Sequence, residues 1–279
     1  MLIIMLITFL IGLKFQKNKL LILRYKYLII LTMKSIRYIL IVIAIFMVNS
    51  SSTSNAVASY FPNYTNLAKT PESNYETQLQ TMGMVDIAVE IPACKINLKY
   101  ASEDNFVGVN FYGDQTKAYV RPECIEKLKK AYRILQEKRP GYSFVIFDAI
   151  RSVEAQKIMW EKCDKPVAQK FWYVSNPYTT GSLHNYGMAI DLNIIDENGK
   201  QLNMGTNFDY FGALAHTTQT EYFFHNGVLS KEQYENRLLI KEIMERAGFT
   251  CAKCEWWHFN ACTIEEASKK YPIYSANNS

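Results

Sequence analysis

The chain has 279 residues, of which 49% are hydrophobic and 20% charged, so it can bury a core and is not disordered as a whole. Its formal net charge is +5, but residues 1–56 contain seven Lys or Arg and no acidic residue. The other residues, 24 basic and 26 acidic, carry a net charge of −2, so we expect no nucleic-acid partner.

Residues 1–56 have the pattern of a secretory signal. Lys34 and Arg37 precede an uninterrupted apolar run over residues 39–48, and a Ser/Thr/Asn-rich stretch follows. We expect the true start at Met33 and a periplasmic or extracellular protein that meets the membrane only through this segment. An uncleaved anchor is the alternative, although the apolar run is shorter than the ~20 residues of a membrane span.

Residues 57–85 are polar and predict a linker or arm, which places the folded domain at residues 86–279. Near the start of that domain, apolar residues alternate with polar ones over 85–89 and again over 96–100. This period of two predicts short strands in both places.

The middle of the chain predicts two helices around one buried strand. A helical pattern opens at Pro122, and another covers residues 153–163. Between them, the apolar run 144–147 predicts a buried strand that delivers Asp148 and Arg151 to its C-terminal end.

The last third predicts a long loop, two strands and a helix. Residues 164–183 are aromatic and turn-rich, as in a lid or binding loop. Residues 188–195 alternate as a clear strand, and residues 254–260 predict the last strand. Between the two strands, a capping box at Ser230 and a closing Gly248 bound a helix. Because strands and helices are interspersed without regular alternation, the pattern favours an α+β fold.

All six cysteines follow residue 57, and an even number in an exported protein permits disulfides. Cys251 and Cys254 form the one close pair, which is compatible with a disulfide, half of a zinc site or two free thiols. The other spacings are irregular and predict no connectivity. The sequence also leaves the oligomeric state open.

Two of the four histidines lie in distinctive local patterns. Asp191 projects from the polar side of the strand 188–195, and a carboxylate there is costly unless it is paired or bound to a cation. His184 enters the same strand, and His258 lies in the predicted last strand. Together these residues would form a three-ligand zinc set, which leaves a fourth position for water.

Two further charged residues are candidates for catalysis. Glu255, three residues before His258, can lie near a metal without ligating it and act as a general base. Arg151, at a buried strand end, could stabilise the oxyanion of a tetrahedral intermediate. Structural interpretations stay open, because Arg151 could pair with Asp148 or Glu154. A histidine beside an aspartate is also often only a hydrogen bond.

Several motifs resemble those of one family. The pattern Ser-x-His-x-x-Gly-x-Ala-x-Asp at 182–191, followed by Glu-x-Trp-His at 255–258, is similar to the D-alanyl-D-alanine dipeptidase family of zinc peptidases. Segments 98–106, 147–151 and 204–209 resemble further motifs of that family in the same order. The resemblance spans roughly residues 88–265.

The resemblance implies a Hedgehog/DD-peptidase-like fold, with a central, largely antiparallel sheet flanked by helices. It implies one Zn²⁺ per chain, bound by His184, Asp191 and His258. It also implies that Glu255 is the catalytic base and that Arg151 stabilises the transition state. The expected reaction is hydrolysis of D-Ala-D-Ala.

The resemblance also implies how the dipeptide is held. Asp209 and Tyr100 would bind its free amine, and Ser182 its carboxylate. A D,D-carboxypeptidase acting on peptidoglycan stem peptides and a non-catalytic, zinc-stabilised wall-binding module are the alternatives. Two departures from the family pattern, at residues 150–152 and 185–186, leave the pose of the arginine and the rim of the pocket open.

Overall fold

The computed structural model describes residues 72–276. The predicted signal and the first part of the predicted linker lie outside these residues. Within the described range, no helix combines the length and the apolar character that crossing a membrane requires.

Helices and strands are interspersed along the described chain. The α-helices are α1 (Glu72–Thr81), α2 (Ile87–Glu90), α3 (Pro122–Lys138), α4 (Val153–Lys162), α5 (Val167–Lys170), α6 (Thr220–His225), α7 (Lys231–Ala247) and α8 (Ile264–Lys270). The strands are β1 (Val85–Asp86), β2 (Lys95–Ile96), β3 (Tyr119–Val120), β4 (Ser143–Asp148), β5 (Ala189–Ile195), β6 (Thr250–Cys251) and β7 (His258–Asn260). Short 3₁₀ turns cover Lys99–Ala101, Leu183–Tyr186, Ala213–Ala215 and Thr217–Gln219.

The central sheet has five strands in the order β2-β4-β5-β7-β6. Strand β2 runs parallel to β4, and the other three pairings are antiparallel. A separate antiparallel pair joins β1 to β3. The prediction of a mixed fold with a largely antiparallel sheet is therefore confirmed, and the Hedgehog/DD-peptidase-like arrangement stays a prediction.

The long predicted elements are present. Helix α3 starts with Pro122, whose fixed φ suits the first helical position. Helix α7 has a complete capping box between Ser230 and Gln233, and it ends at Gly248 in the left-handed region (φ 98°). Strands β4 and β5 are buried along their whole length, so they form the centre of the core.

Three predicted strands are shorter than their patterns indicated. At 96–100 the strand ends at Ile96, and Lys99–Ala101 form a 3₁₀ turn instead. At 85–89 the strand ends at Asp86, whose side chain accepts a hydrogen bond from the Ala88 amide (2.9 Å) and starts helix α2. Val89, the last apolar residue of that alternating pattern, is 72% exposed. At 254–260 only β7 is extended, because the chain turns before His258.

The folded domain begins earlier than residue 86. Helix α1 lies within the predicted linker, and its Tyr75 and Leu79 are buried against Tyr119, Ile150 and Tyr274. A helix that buries two residues one turn apart keeps a mostly polar sequence, which is why composition alone indicated a linker. The described part of that segment belongs to the fold.

Strand register places three polar residues in one row across the sheet. Asp191 of β5 is paired with Asp148 of β4 on one side and with His258 of β7 on the other. A register shift between Ile146 and Asp148 places the aspartate opposite Asp191. Such bulges commonly re-aim a side chain next to an active site.

The cysteines are all free thiols in the described residues, which contain all six of them. Cys251 and Cys254 are therefore unpaired with each other, as in one of the three interpretations of that pair. Cys94, Cys124 and Cys163 are buried, and they contribute to the core as small apolar side chains.

Candidate active site

Three ligand-type side chains meet at the centre of the row. His184 Nε2 lies 3.3 Å and His258 Nδ1 2.9 Å from Asp191 Oδ1. The two ring nitrogens are 3.1 Å apart, and one ligand atom from each residue lies within 4.8 Å of the others. Nitrogen and oxygen ligands at this spacing fit a single metal ion.

The outer nitrogens of both rings are already bonded. His184 Nδ1 lies 2.7 Å from the carbonyl oxygen of Ala149, and His258 Nε2 lies 2.8 Å from Asn260 Oδ1. Since both partners are acceptors, these outer nitrogens carry protons, so the inner nitrogens are the ones that can offer a lone pair to a metal ion. Three converging acceptors need a cation between them, which is the arrangement of metal-bound histidines.

The electrostatics of the cluster support the same conclusion. Burial disfavours the charged form of His258, but its hydrogen bond to Asp191 and the charge of that carboxylate raise the pKa of His258 to about 9. Burial opposes ionisation of Asp191 as well, yet the two imidazoles hold its pKa below its usual range. The cluster therefore attracts positive charge, and a metal ion would displace a proton there.

Arg151 is buried beside this cluster. Its Nε donates to Asp148 Oδ2 (2.9 Å), Nη2 contacts the same carboxylate, and Nη1 donates to Gln156 Oε1 (2.8 Å). Nη2 is also 3.8 Å from Asp191 Oδ2. The pairing with Asp148 that the sequence left open is thus real, and it fixes the guanidinium at the cluster. Burial disfavours its charge, but Asp148 more than compensates, so the pKa of Arg151 is raised.

The departure from the family pattern beside Arg151 has a structural explanation. Ser152 caps helix α4 by accepting a hydrogen bond from the Ala155 amide (3.1 Å). Ile150 packs in the small cluster beneath helix α1. The hydrogen bonds of the guanidinium go instead to Asp148 and Gln156.

Glu255 lies in the same cavity as the cluster. Burial raises its pKa to about 8, although the positive charge of His258 opposes the shift. A carboxyl group with a pKa near neutrality can both accept and return a proton. This position therefore suits a general base.

Asp209 lines the same cavity. Tyr100 Oη donates to its Oδ1 (3.1 Å), and the Phe106 amide donates to its Oδ2 (3.3 Å). Burial raises the pKa of Asp209 to about 8, and these two hydrogen bonds oppose that rise. Asp209 also has a positive φ of 60°, which is strained for a residue with a Cβ and is typical of functional positions.

Ser182 and Asn185 hold the turn that carries His184. The Ser182 hydroxyl accepts from the His184 amide (3.3 Å), and Asn185 Oδ1 accepts from the Ser182 amide (2.8 Å). Asn185 Nδ2 also donates to the carbonyl oxygen of Arg151 (2.9 Å). The second departure from the family pattern thus ties the His184 turn to the Arg151 segment instead of altering the pocket rim.

All eight candidate residues line one cavity of about 40 Å³. They are Tyr100, Arg151, Ser182, His184, Asp191, Asp209, Glu255 and His258. The cavity is also lined by five residues to which the sequence gave no role in the site, namely Met159, Tyr173, Ser175, Phe211 and Trp257. The other two histidines, His216 and His225, are not among its lining residues.

Several supporting residues carried little or no signal in the sequence. Asp148 was visible at the end of a buried strand, but its bond from Tyr112 Oη (2.7 Å) joins distant segments. Gln156 and Asn260 follow no motif. Tyr173 lies in the aromatic stretch 164–183, which was expected to be a lid or binding loop.

Metal-dependent hydrolases combine three protein ligands, which leave a coordination position open, with a carboxyl group that handles protons. This cavity has that combination, and the protein is placed in that class on geometry alone.

The chain belongs to the Peptidase_M15 family, described as D-ala-D-ala dipeptidase, whose model matches residues 80–275. It is 38% identical over 179 residues to the D-alanyl-D-alanine dipeptidase of Escherichia coli (strain K12), covering 64% of this chain and 84% of that protein. It is 29% identical over 175 residues to the D-alanyl-D-alanine dipeptidase of Enterococcus faecium, covering 58% of this chain and 82% of that protein. The protein is therefore a metallopeptidase.

A solved structure of the LdcB LD-carboxypeptidase aligns with a TM-score of 0.32 and 19% identity. The alignment covers 55% of this chain and 70% of that chain.

Proposed function

We propose that the protein is a D-alanyl-D-alanine dipeptidase that uses one zinc ion. The observation that carries the proposal is the single cavity that collects a cation-fitting cluster, a buried carboxyl group and a buried guanidinium. The names of the relatives give the substrate. Zinc is favoured over other metals because two imidazoles and one carboxylate are typical ligands of catalytic zinc.

His184, Asp191 and His258 would hold the metal. When bound, zinc supplies positive charge that lowers the pKa of a water molecule towards about 7. Glu255 would take up the proton released from the attacking water and return it to the leaving amine. Arg151 would face the oxygen on which negative charge develops, a contribution typically worth about 3 kcal/mol.

The two ends of the dipeptide would meet opposite walls of the cavity. Asp209, with Tyr100 orienting its carboxyl group, would bind the free amine, and an ammonium ion next to it would favour its ionised form. Ser182 would donate to the substrate carboxylate. A D,D-carboxypeptidase is the second candidate, because Asp209 also lines an adjoining cavity of about 640 Å³ that could receive a longer peptide.

The test compares two substrates with purified, zinc-loaded protein. Mass spectrometry should detect free D-Ala from D-Ala-D-Ala, and a chelator should abolish the reaction until zinc is restored. A pentapeptide stem should be cleaved far more slowly. Preference for the pentapeptide would support the carboxypeptidase, and hydrolysis of neither substrate would contradict both candidates.

We also propose export of the protein through residues 33–56, which lie outside the described residues. The basic residues, apolar run and small polar residues of that segment support the proposal. N-terminal sequencing of the protein from the producing cell should give a mature start near Ala56. A start upstream of Met33 would contradict it.

A further inference from the structure

Besides Arg121 and Arg151, a third buried arginine lies on the other side of the sheet edge that carries His258. Arg237, in helix α7, is 3% exposed, and its Nε donates to the carbonyl oxygen of Met204 (2.6 Å). Its Nη1 and Nη2 have no hydrogen-bond partner among the described residues. Burial lowers the pKa of Arg237 to about 10, and no carboxylate offsets that shift.

Arg237 lines a cavity of about 230 Å³. Lys241, one turn further along the helix, lines it as well; it is 48% exposed, and its Nζ lies 3.9 Å from Glu245 Oε1. Thr218 and Thr220 line the cavity too, and their hydroxyl groups make no hydrogen bond within the part of the chain that the structure describes. The cavity therefore presents two cationic groups and two hydroxyl groups that can donate.

One acidic residue also reaches this cavity. Glu221 lines it, but its side chain is 64% exposed, and its carboxylate accepts a hydrogen bond from Tyr234 Oη (2.6 Å). Glu221 thus lies at the solvent end and forms no ion pair with Arg237. A buried guanidinium without a counter-charge lowers the folding stability, so an anion from solution would relieve that cost.

We propose that this cavity binds a small tetrahedral oxyanion, for which inorganic phosphate is the probe, with Arg237 as the principal ligand. The planar guanidinium offers two parallel N–H donors, the geometry that suits phosphate oxygens. Lys241 and the threonine hydroxyls would contact the remaining oxygens, of which a tetrahedral anion has more than a carboxylate. The site is independent of the proposed dipeptidase activity.

The position of the cavity makes the bound anion a structural ligand close to the catalytic residues. Trp256 and Phe259 line it, and they are chain neighbours of Glu255 and His258. Since side chains alternate across a strand, Phe259 faces this cavity while His258 faces the catalytic one. An anion here would stabilise the native state in proportion to its occupancy.

Isothermal titration of the full-length, zinc-loaded protein with inorganic phosphate, at constant ionic strength in chloride, tests the proposal. Wild type should bind one phosphate with a dissociation constant of about 1 mM or tighter, and its melting temperature should rise with phosphate. Arg237→Gln should lose at least about tenfold in affinity. Arg246→Gln, which removes an exposed arginine of the same helix, is the matched control and should keep the affinity of wild type.

Two results would overturn the proposal. Unchanged phosphate affinity in Arg237→Gln would place the anion elsewhere, including at the catalytic metal. Absence of saturable binding to wild type below about 10 mM would mean that water alone fills the cavity.

If Arg237→Gln does not fold, the proposal can be tested instead with crystals of wild type grown in selenate. An anomalous peak beside the guanidinium would support it. Ordered water alone at that position would contradict it.

Discussion

Two arginines are buried to nearly the same extent, yet their surroundings differ completely. Arg151 is 5% exposed and meets Asp148, Gln156 and Asp191. Arg237 is 3% exposed and has one backbone carbonyl oxygen as its partner. The first guanidinium is neutralised by the protein itself, and the second lacks a neutralising partner among the described residues.

The difference shows how the charge of each guanidinium is neutralised. At the catalytic cavity, internal carboxylates fix the guanidinium before any substrate arrives, so its orientation costs nothing during reaction. Beneath helix α7 the charge stays uncompensated until an ion enters. Internal carboxylates thus position Arg151, whereas the charge of Arg237 is open to a ligand.

The largest expected effect is on folding stability. Arg151→Met leaves Asp148, which is fully buried, without its ion-pair partner, and should cost about 3–5 kcal/mol. Arg237→Met leaves no carboxylate unpaired and should cost nothing or stabilise the protein. Urea unfolding of both variants in phosphate-free buffer makes the comparison. Similar losses in the two variants would remove the distinction between the two sites.

Next comes the loss of turnover in Glu255→Gln. Glutamine keeps the shape of the side chain but cannot accept a proton, so kcat for D-Ala-D-Ala should fall at least about a hundredfold. Zinc content and KM should change little, because Glu255 is not one of the three proposed ligands. Lost zinc would instead make Glu255 a ligand, and full activity with full zinc would exclude it as the base.

A smaller change is expected at the substrate amine. Asp209→Asn removes the negative charge that would bind the ammonium group, so KM for D-Ala-D-Ala should rise about tenfold. The KM of N-acetyl-D-Ala-D-Ala, which has no free amine, should not rise. Tyr100→Phe removes only the hydroxyl that donates to Asp209 and should have a weaker effect in the same direction. Equal losses for both substrates would contradict amine recognition.

The smallest effect concerns an exposed ion pair. The hydrogen-bonded ion pair with Lys270 lowers the pKa of Glu123 from 4.5 to about 2. Its contribution to stability is therefore complete above about pH 4.5 and disappears as the pH falls towards 2. Glu123 is 44% exposed, so solvent screening keeps the effect small.

Glu123→Gln should accordingly lower the melting temperature by at most a few degrees near neutral pH. The difference from wild type should shrink below about pH 3. If the difference in melting temperature instead grew on acidification, the direction assigned to the pKa shift of Glu123 would be wrong.

The sequence predicted the elements whose signals are local. Helix α7 has its capping box and closing glycine, and β5 has a long alternating pattern. The eight candidate residues also line one cavity. They could be picked out in the sequence because their motifs occur in the order of a known family. The strand predicted over 85–89 was wrong beyond Asp86, since one side-chain cap outweighed three alternating apolar residues.

What the sequence could not predict depends on contacts between distant segments. The bond from Tyr112 to Asp148 and the tie from Asn185 to Arg151 join residues far apart in the chain. Arg237 reads as one more charged residue of an amphipathic helix, and only its packing reveals the unpartnered nitrogens. Helix α1 was missed because it buries only one narrow stripe.

The row of Asp148, Asp191 and His258 across three strands has a consequence for how the chain can change in length. One residue inserted within β5 would turn Asp191 to the opposite face and shift its pairing with both neighbours. Insertions in the connection between β5 and α7, which supplies Asp209, leave that register intact. The protein can therefore vary its loops, and with them the walls of its pocket, while the length of its central strands stays fixed.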